Sequence, residues 1–492
     1  MAKRLISPLT SFTKARPSHN AEKRLKLFNA TTNQIREEIL FATDSQIQQS
    51  FQDAHKAQQE WYHNHTPQQR EQIILKASIL FNKRAEEFLH NEVKDTARTI
   101  SEIRDYDIPS ASRALSYYAH VPTILSSGTY HKVDHSFAHV IREPIGLSVG
   151  IGAFNYPLMN AVLKSAPALS FGNTMIYKPS ELTPRNALLL AEIYEEAGVP
   201  SGLFQVLLGD GSIGEKLVSH DKVGKISFTG SLEVGKKIYL AAARMTNEKE
   251  QFTKVTLELG GKSALIIHED ADLDNAVNGA IMANWYSNGQ VCSNGTRVFV
   301  HETIYEEFLE RLIKETDKLK IGDPMSEDTV IGPMISEKQM NRVLEYVRIG
   351  QFEDNANLVY GGQKLRLEGL QDGFFLSPAI FADCHDDMTI TREEVFGMLM
   401  SVMKFSSDDE VLQRSNNSSF GLGAGIYTND LQRAYRMASK IEAGNVWINT
   451  YNLAPQELPW GGKKLSGIGK ESGAHAAMEE WTTAKSVYTN ID

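Results

Sequence analysis

Cysteine is almost missing from this chain: its 492 residues hold two, Cys292 and Cys384. That is too few for a disulfide scaffold and suits a reducing compartment. An excess of positive charge is missing as well. Lys and Arg number 51 against 61 Asp and Glu, a formal net charge of −10, which argues against a broad nucleic-acid surface. No apolar run approaches the roughly 18 residues of a membrane span, and there is no low-complexity tract or fixed-period repeat. The one address-like stretch is the opening MAKRLISPLTSFTKARPSHNAEKR, with six Lys/Arg and a single acid. It lacks an apolar segment, so a solvated basic arm on a cytoplasmic protein is expected.

What is present is ordinary for a globular protein: 41% hydrophobic residues, 23% charged, 35 glycines and 16 prolines. The length calls for two or three domains. Residues 45–100 carry long helical patterning, with Ile73, Ile74, Leu75, Ile79, Leu80 and Phe88 recurring near a 3.6 period. From about 145 the pattern changes. GLSVGIGAF, TMIYKPS, LFQVLLG and GKISFTGS read as strands, with NALLLAEIYEEAG and GEKLVSH as helices between them. Beyond 258, KSALIIHE and TRVFVHE read as strands and EEFLERLIKETDKL as an amphipathic helix. Such alternation implies parallel sheets covered on both faces.

Two glycine turns compete for a phosphate-binding role. Gly209-Asp210-Gly211-Ser212-Ile213-Gly214 fits G-x-G-x-x-G between a strand and a helix, yet a lone match is weak because short glycine patterns arise by chance in such turns. In Phe228-Thr229-Gly230-Ser231 a strand also meets a helix start, where free N–H groups and the helix dipole attract pyrophosphate. Three further residues stand out: Asn155 in GAFNYP, Glu258 in ELGGK and Cys292 in GQVC. Singly, each has a plain structural explanation, as a turn residue before Pro157, a surface carboxylate and a buried thiol.

Together with NATTNQ, KPSE, FTGS, EEVFG and PWGGKKLSGIGKESG, these segments resemble the aldehyde dehydrogenase superfamily in order from about residue 28 onward. SNGQVCSNGTRVFV and APQELPWGG bring the chain nearest to its betaine aldehyde and trimethylaminobutyraldehyde branch. The resemblance implies NAD-dependent oxidation of an aldehyde through a thioester on Cys292, with Asn155 as oxyanion donor, Glu258 as hydrolytic base and Lys164 with Glu471 as a proton relay. Lys178, Glu181, Gly230, Ser231, Leu259, Glu394 and Phe396 fall at cofactor positions. The acid at Glu181 would accept from ribose hydroxyls and repel a 2′-phosphate, which favours NAD over NADP. Tyr156, Tyr286 and Trp460 fall where that branch builds an aromatic box for trimethylammonium, and Glu457 could add charge. The box lacks one wall, because Leu163 stands where a tryptophan is usual. The same aromatics could equally line an apolar tunnel for plain aliphatic aldehydes.

Further departures are Asn-Ala-Thr-Thr near the start, Ala264 after ELGGKS and Met398 after EEVFG, the last expected to loosen the loop of Glu394 and Phe396. The resemblance implies an α/β protein with a Rossmann-like parallel-sheet cofactor domain from 1–123 and 146–257 and an α/β catalytic domain from 258–469. It also implies a small β oligomerisation arm from 124–145 and 470–492, joining a homodimer or homotetramer. A CoA-acylating relative would generally lack Glu258, and a non-catalytic binding homologue would have no need of the full set. His131, His135 and His139 are evenly spaced, but without a partnering Cys or carboxylate pattern no metal site is expected. In a β-ribbon, alternate histidines would share one face.

Overall fold

In the computed structural model, residues 9–13, 23–125, 130–134, 136–244 and 252–490 are described. Three sheets organise the chain. The first has six strands in the order Gly467–Ile468, Lys254–Glu258, Lys225–Thr229, Leu147–Ile151, Thr174–Lys178 and Phe204–Val206. The last five are mutually parallel. Leu147–Ile151 and Thr174–Lys178 are buried at every position, as expected of strands with helices on both faces. The expected helices fall at Asp44–Asn64, Pro67–Lys83 and Ala85–Thr96, the first two entered through Thr-x-x-Gln capping boxes at Thr43 and Thr66.

The second sheet has seven strands, centred on Arg297–His301 and Ala264–Ile267, with only the edge strand Asn357–Gly361 antiparallel. The helix expected from EEFLERLIKETDKL is Tyr305–Asp317. In the third sheet Thr482–Asn490 pairs along Ser136–Pro144, which pairs in turn with Tyr130–Val133.

Several expectations need correction. Strand Gly467–Ile468 pairs antiparallel with Lys254–Glu258, so residues near 467 return to the cofactor sheet although they lie in the range expected to be catalytic. The N-terminal arm is not solvated throughout. Leu9 bridges Ile39 and Phe12 bridges Val206, with Phe12 N–H donating to the Val206 carbonyl at 2.9 Å and the reverse bond at 3.0 Å. Unpaired edges of a sheet are open hydrogen-bonding sites, and Phe12 pairs with the edge strand at Val206 while Leu9 pairs with strand Ile35–Leu40; the rest of the basic stretch up to residue 22, except Thr13, lies outside the described residues. The ribbon histidines do not share a face. Tyr130 is directly opposite His139 and His131 opposite Ala138, so His131 and His139 point to opposite sides, while His135 lies outside the described residues. Among the described residues no helix is long and apolar enough to cross a membrane.

Candidate active site

The carboxyl ends of the first sheet's parallel strands lie along one edge, the side on which open parallel sheets bind ligands. Lys178 and Glu258 are the last residues of their strands, Gly230 follows a third, and Asn155 lies just beyond Leu147–Ile151. The segment carrying Cys292 comes immediately before strand Arg297–His301 of the second sheet.

Cys292 sits in a turn fixed on several sides. Tyr451 donates its hydroxyl to the Ser293 carbonyl at 2.7 Å, and Asn294 Nδ2 donates to Gly289 O at 2.9 Å. Gly289 has a positive φ of 71°, and a Cβ there would come within 2.5 Å of the Gly397 and Met398 backbone, so only glycine fits. Asn155 is buried and donates through Nδ2 to Gln290 O at 2.8 Å, two residues before the thiol. The thiol's pKa is pushed up to about 12, first by burial and then by the carboxylates of Glu394 and Glu258. It rests as a neutral thiol. Cys384 is buried in the second sheet's core, with its thiol also raised to about 12.

Glu258 is buried and its pKa lies well above the usual carboxyl range, chiefly through burial and then the negative charge of Glu471, with Lys164 and Lys470 pulling it back. No hydrogen bond of ordinary geometry reaches either oxygen; the nearby Glu471 N–H is given to Trp460 O at 2.8 Å. Behind it, Lys164 is fully buried and ion-paired to Glu471, and Ser227 Oγ bonds both partners at 3.1 and 2.8 Å. The expected relay pair is therefore in contact.

The positions expected to hold the cofactor are placed as follows. Lys178 is buried, donates to Pro179 O at 3.0 Å and lies 3.7 Å from Glu181, whose carboxylate is partly exposed. Ser231 is exposed and caps helix Leu232–Ala243 after Gly230. Leu259 is buried in the core beneath that helix. Glu394 accepts from Gly261 N–H at 2.9 Å, and a Cβ on Gly260 would fall 2.0 Å from its other oxygen. Burial raises Glu394 to about 7. Phe396, held at φ 61°, meets Phe154 edge-on at 5.6 Å. Its loop is not loose despite Met398, which is fully buried: Gln339 Nε2 donates to Phe396 O at 2.8 Å and Arg342 Nη2 to Glu394 O at 2.7 Å. The competing Gly209 turn carries Asp210, which caps its own helix at Ser212 N and pairs with Lys23, so a carboxylate already occupies that end.

Of the aromatic positions, Tyr156 and Tyr286 are neighbours, both half-buried. Tyr156 offers only one free face, because the Arg98 guanidinium lies 4.0 Å from its ring centre on the other. Trp460 packs on Trp447 at 6.2 Å and bridges Glu471 through its backbone. Glu457 is exposed, and Leu163 packs against the core of the cofactor domain. Gln339, Arg342 and the ion cluster around Arg98 carry no motif, and nothing in the sequence pattern singles them out.

A partly buried thiol, a buried side-chain amide and a buried carboxylate thus lie at the strand ends and turns of a two-sheet α/β protein. The pattern described as the aldehyde dehydrogenase family matches residues 17–487. The betaine aldehyde dehydrogenases of Brucella canis and Brucella suis biovar 1 are each 45% identical over 471 residues, covering 96% of this chain and 95% of theirs. An aldehyde dehydrogenase of Bacillus cereus, solved as an NAD+ complex, superposes with a TM-score of 0.93 at 36% identity, covering 99% of this chain and 97% of that one. A betaine aldehyde dehydrogenase from Staphylococcus aureus, in complex with NAD+, also gives 0.93 at 31% identity, covering 99% and 96%. The chain belongs to the aldehyde dehydrogenase family and is an aldehyde-oxidising enzyme.

Proposed function

We propose that this enzyme oxidises betaine aldehyde or a closely related trimethylammonium or amino aldehyde to the acid, with NAD as cofactor. Cys292 adds to the aldehyde carbon, and the thiohemiacetal oxyanion meets the Asn155 amide and the Cys292 N–H. Preorganised donors of this kind are worth about 3–4 kcal/mol of barrier each. NAD, when bound, supplies the hydride acceptor. The residues present fit that group: Lys178 and Glu181 would hold the adenosine ribose, Gly230 and Ser231 the pyrophosphate, and Glu394 and Phe396 the nicotinamide ribose, with Leu259 supporting the cofactor from below. Glu258, once ionised, takes the proton of the water that hydrolyses the thioester, and passes it toward Lys164 and Glu471. Two free cysteines and an acidic surface suit the cytoplasm, and the ribbon with its C-terminal strand would join subunits as a homodimer or homotetramer.

The observation that carries the substrate assignment is the 45% identity to relatives that are betaine aldehyde dehydrogenases, with Tyr156 and Tyr286 side by side and Trp460 as the third aromatic candidate. A π face holds trimethylammonium at about 0.5–2 kcal/mol per ring. A trimethylammonium aldehyde should therefore beat its neutral tert-butyl analogue by about 5–30-fold in kcat/KM. Trp460→Ala should erase most of that ratio while sparing short alkanals. Equal rates for the charged and neutral aldehydes would favour the second reading, a broad aliphatic aldehyde dehydrogenase, which the single free face of Tyr156 and the missing wall at Leu163 support.

A further inference from the structure

Against the Tyr156 ring lies a buried ion cluster that the catalytic scheme does not use. Helix Ala85–Thr96 ends at Ala97 in the left-handed region, φ 59°, and the chain continues through a helical turn into the π-helix Ile103–Asp107. π-Turns recur at functional sites because they displace a side chain from regular helical register. Here the segment folds Asp107 and Glu102 onto the Arg98 guanidinium. Arg98 donates to Asp107 at 2.6 and 2.9 Å and through Nε to Glu102 at 2.9 Å, with all three side chains essentially out of solvent. Such a cluster is costly to bury unless its geometry is complete.

The cluster touches both halves of the reacting site. Toward the oxyanion segment, Arg98 lies on the Tyr156 ring and points Nη1 at the Asn155 carbonyl at 3.5 Å. Toward the nucleophile segment, Glu102 accepts from the Ser287 backbone N–H at 3.2 Å and from its hydroxyl. With the Ser287 proton committed to that carboxylate, the Tyr156 hydroxyl must be the donor in its 2.6 Å bond to Ser287 Oγ. The path from Arg98 is thus a closed ring through Glu102, Ser287 and Tyr156. Ser287 and its neighbour Asn288 both sit at positive φ, 52° and 55°, conformations that persist only where surrounding bonds hold them.

We propose that Arg98 and Glu102 are positioning residues, which through Ser287 and Tyr156 fix the oxyanion segment at Asn155 and the nucleophile segment at Cys292 against each other. The inference rests on the assignment of Cys292 as nucleophile and Asn155 as oxyanion donor. Asn155 and Gln290 share one direct bond; the ring supplies a second tie several ångströms away, and two ties set an angle where one sets only a distance.

Two variants test it in the full-length enzyme. Arg98→Lys keeps a cation between the carboxylates but loses the planar fork and its stacking on Tyr156; Ser287→Ala removes the bridging hydroxyl and leaves the ion cluster whole. Each should slow the first-turnover burst of NADH at least tenfold while the KM for NAD stays within twofold, and the double variant should lose little more than the worse single one, because both cut one ring. Hydrogen exchange without cofactor should quicken in 152–158 and 286–292 and not across the central strands. Should Arg98→Lys fail to fold, Ser287→Ala alone decides. Burst rates and exchange like wild type, or multiplicative losses in the double variant, would overturn the proposal. Faster exchange at both segments together with a Cys292→Ala enzyme that still turns over would instead leave the positioning intact and remove the nucleophile reading.

Discussion

Burial raises the pKa of both Glu258 and Cys292, because it removes water from two groups that the proposed mechanism needs in charged form. The charges around Glu258 then decide when it ionises. Glu471 opposes ionisation, whereas Lys164 and Lys470 favour it. Lys470 is the clean handle, since it lies outside the Lys164–Glu471 pair and anchors on Gly461 O at 2.6 Å. Where thioester hydrolysis limits turnover, kcat rises with pH as Glu258 loses its proton. Lys470→Gln removes a positive charge that stabilises the carboxylate, so that rising limb should move to higher pH by about 0.5–1 unit. A pH profile with the limb unmoved or shifted to lower pH contradicts the assignment of Glu258 as base. At this scale the short motifs that make Cys292, Glu258 and Asn155 candidates were legible because their glycines or turn are dictated by close approach, as at Gly289 and Gly260. Arg98, Glu102 and Ser287 were not, because a buried ion cluster follows tertiary contact and leaves no period or spacing behind.

Among the elements, strand ends carry the proposed cofactor residues. Thr174–Lys178 delivers Lys178 to the edge and the following turn brings Glu181 back to 3.7 Å from it. A carboxylate there repels a 2′-phosphate, so kcat/KM should favour NAD over NADP at least tenfold, about 1.4 kcal/mol. Glu181→Ser should narrow the ratio mainly by improving NADP. A wild-type preference for NADP would show that the turn does not face the ribose. The alternation of β-like runs and helices made these strands readable, since fully buried parallel strands are short apolar runs ended by Gly, Ser or Pro. Three pieces escaped that logic. Gly467–Ile468 is a two-residue strand in a glycine-rich stretch, Leu9 and Phe12 pair with strands that only the folded chain brings to them, and the facing of His131 and His139 depends on hairpin register.

For the whole molecule, the C-terminal strand is the outlying feature. Thr482–Asn490 adds nine residues of pairing to Ser136–Pro144, far from the proposed cofactor residues in sequence and in sheet, and leaves Tyr130 and Tyr488 largely exposed. An exposed ribbon of this kind invites pairing or packing with another subunit. If the ribbon joins subunits as proposed, deleting residues 482–492 should yield monomers by light scattering, with the lost contacts visible as a lower Tm. A truncated enzyme with unchanged mass per particle would place the subunit contact elsewhere.

The central claim, that an acyl group passes through Cys292 and leaves by way of Glu258, can be weighed directly. Glu258→Gln is mixed with NAD and aldehyde, quenched after one turnover and examined by intact-protein mass spectrometry. The account predicts about one NADH per active subunit and a matching mass increase equal to the acyl group, located on Cys292 and lost in Cys292→Ala. Stoichiometric NADH without any covalent adduct, or an adduct that survives in Cys292→Ala, would contradict it.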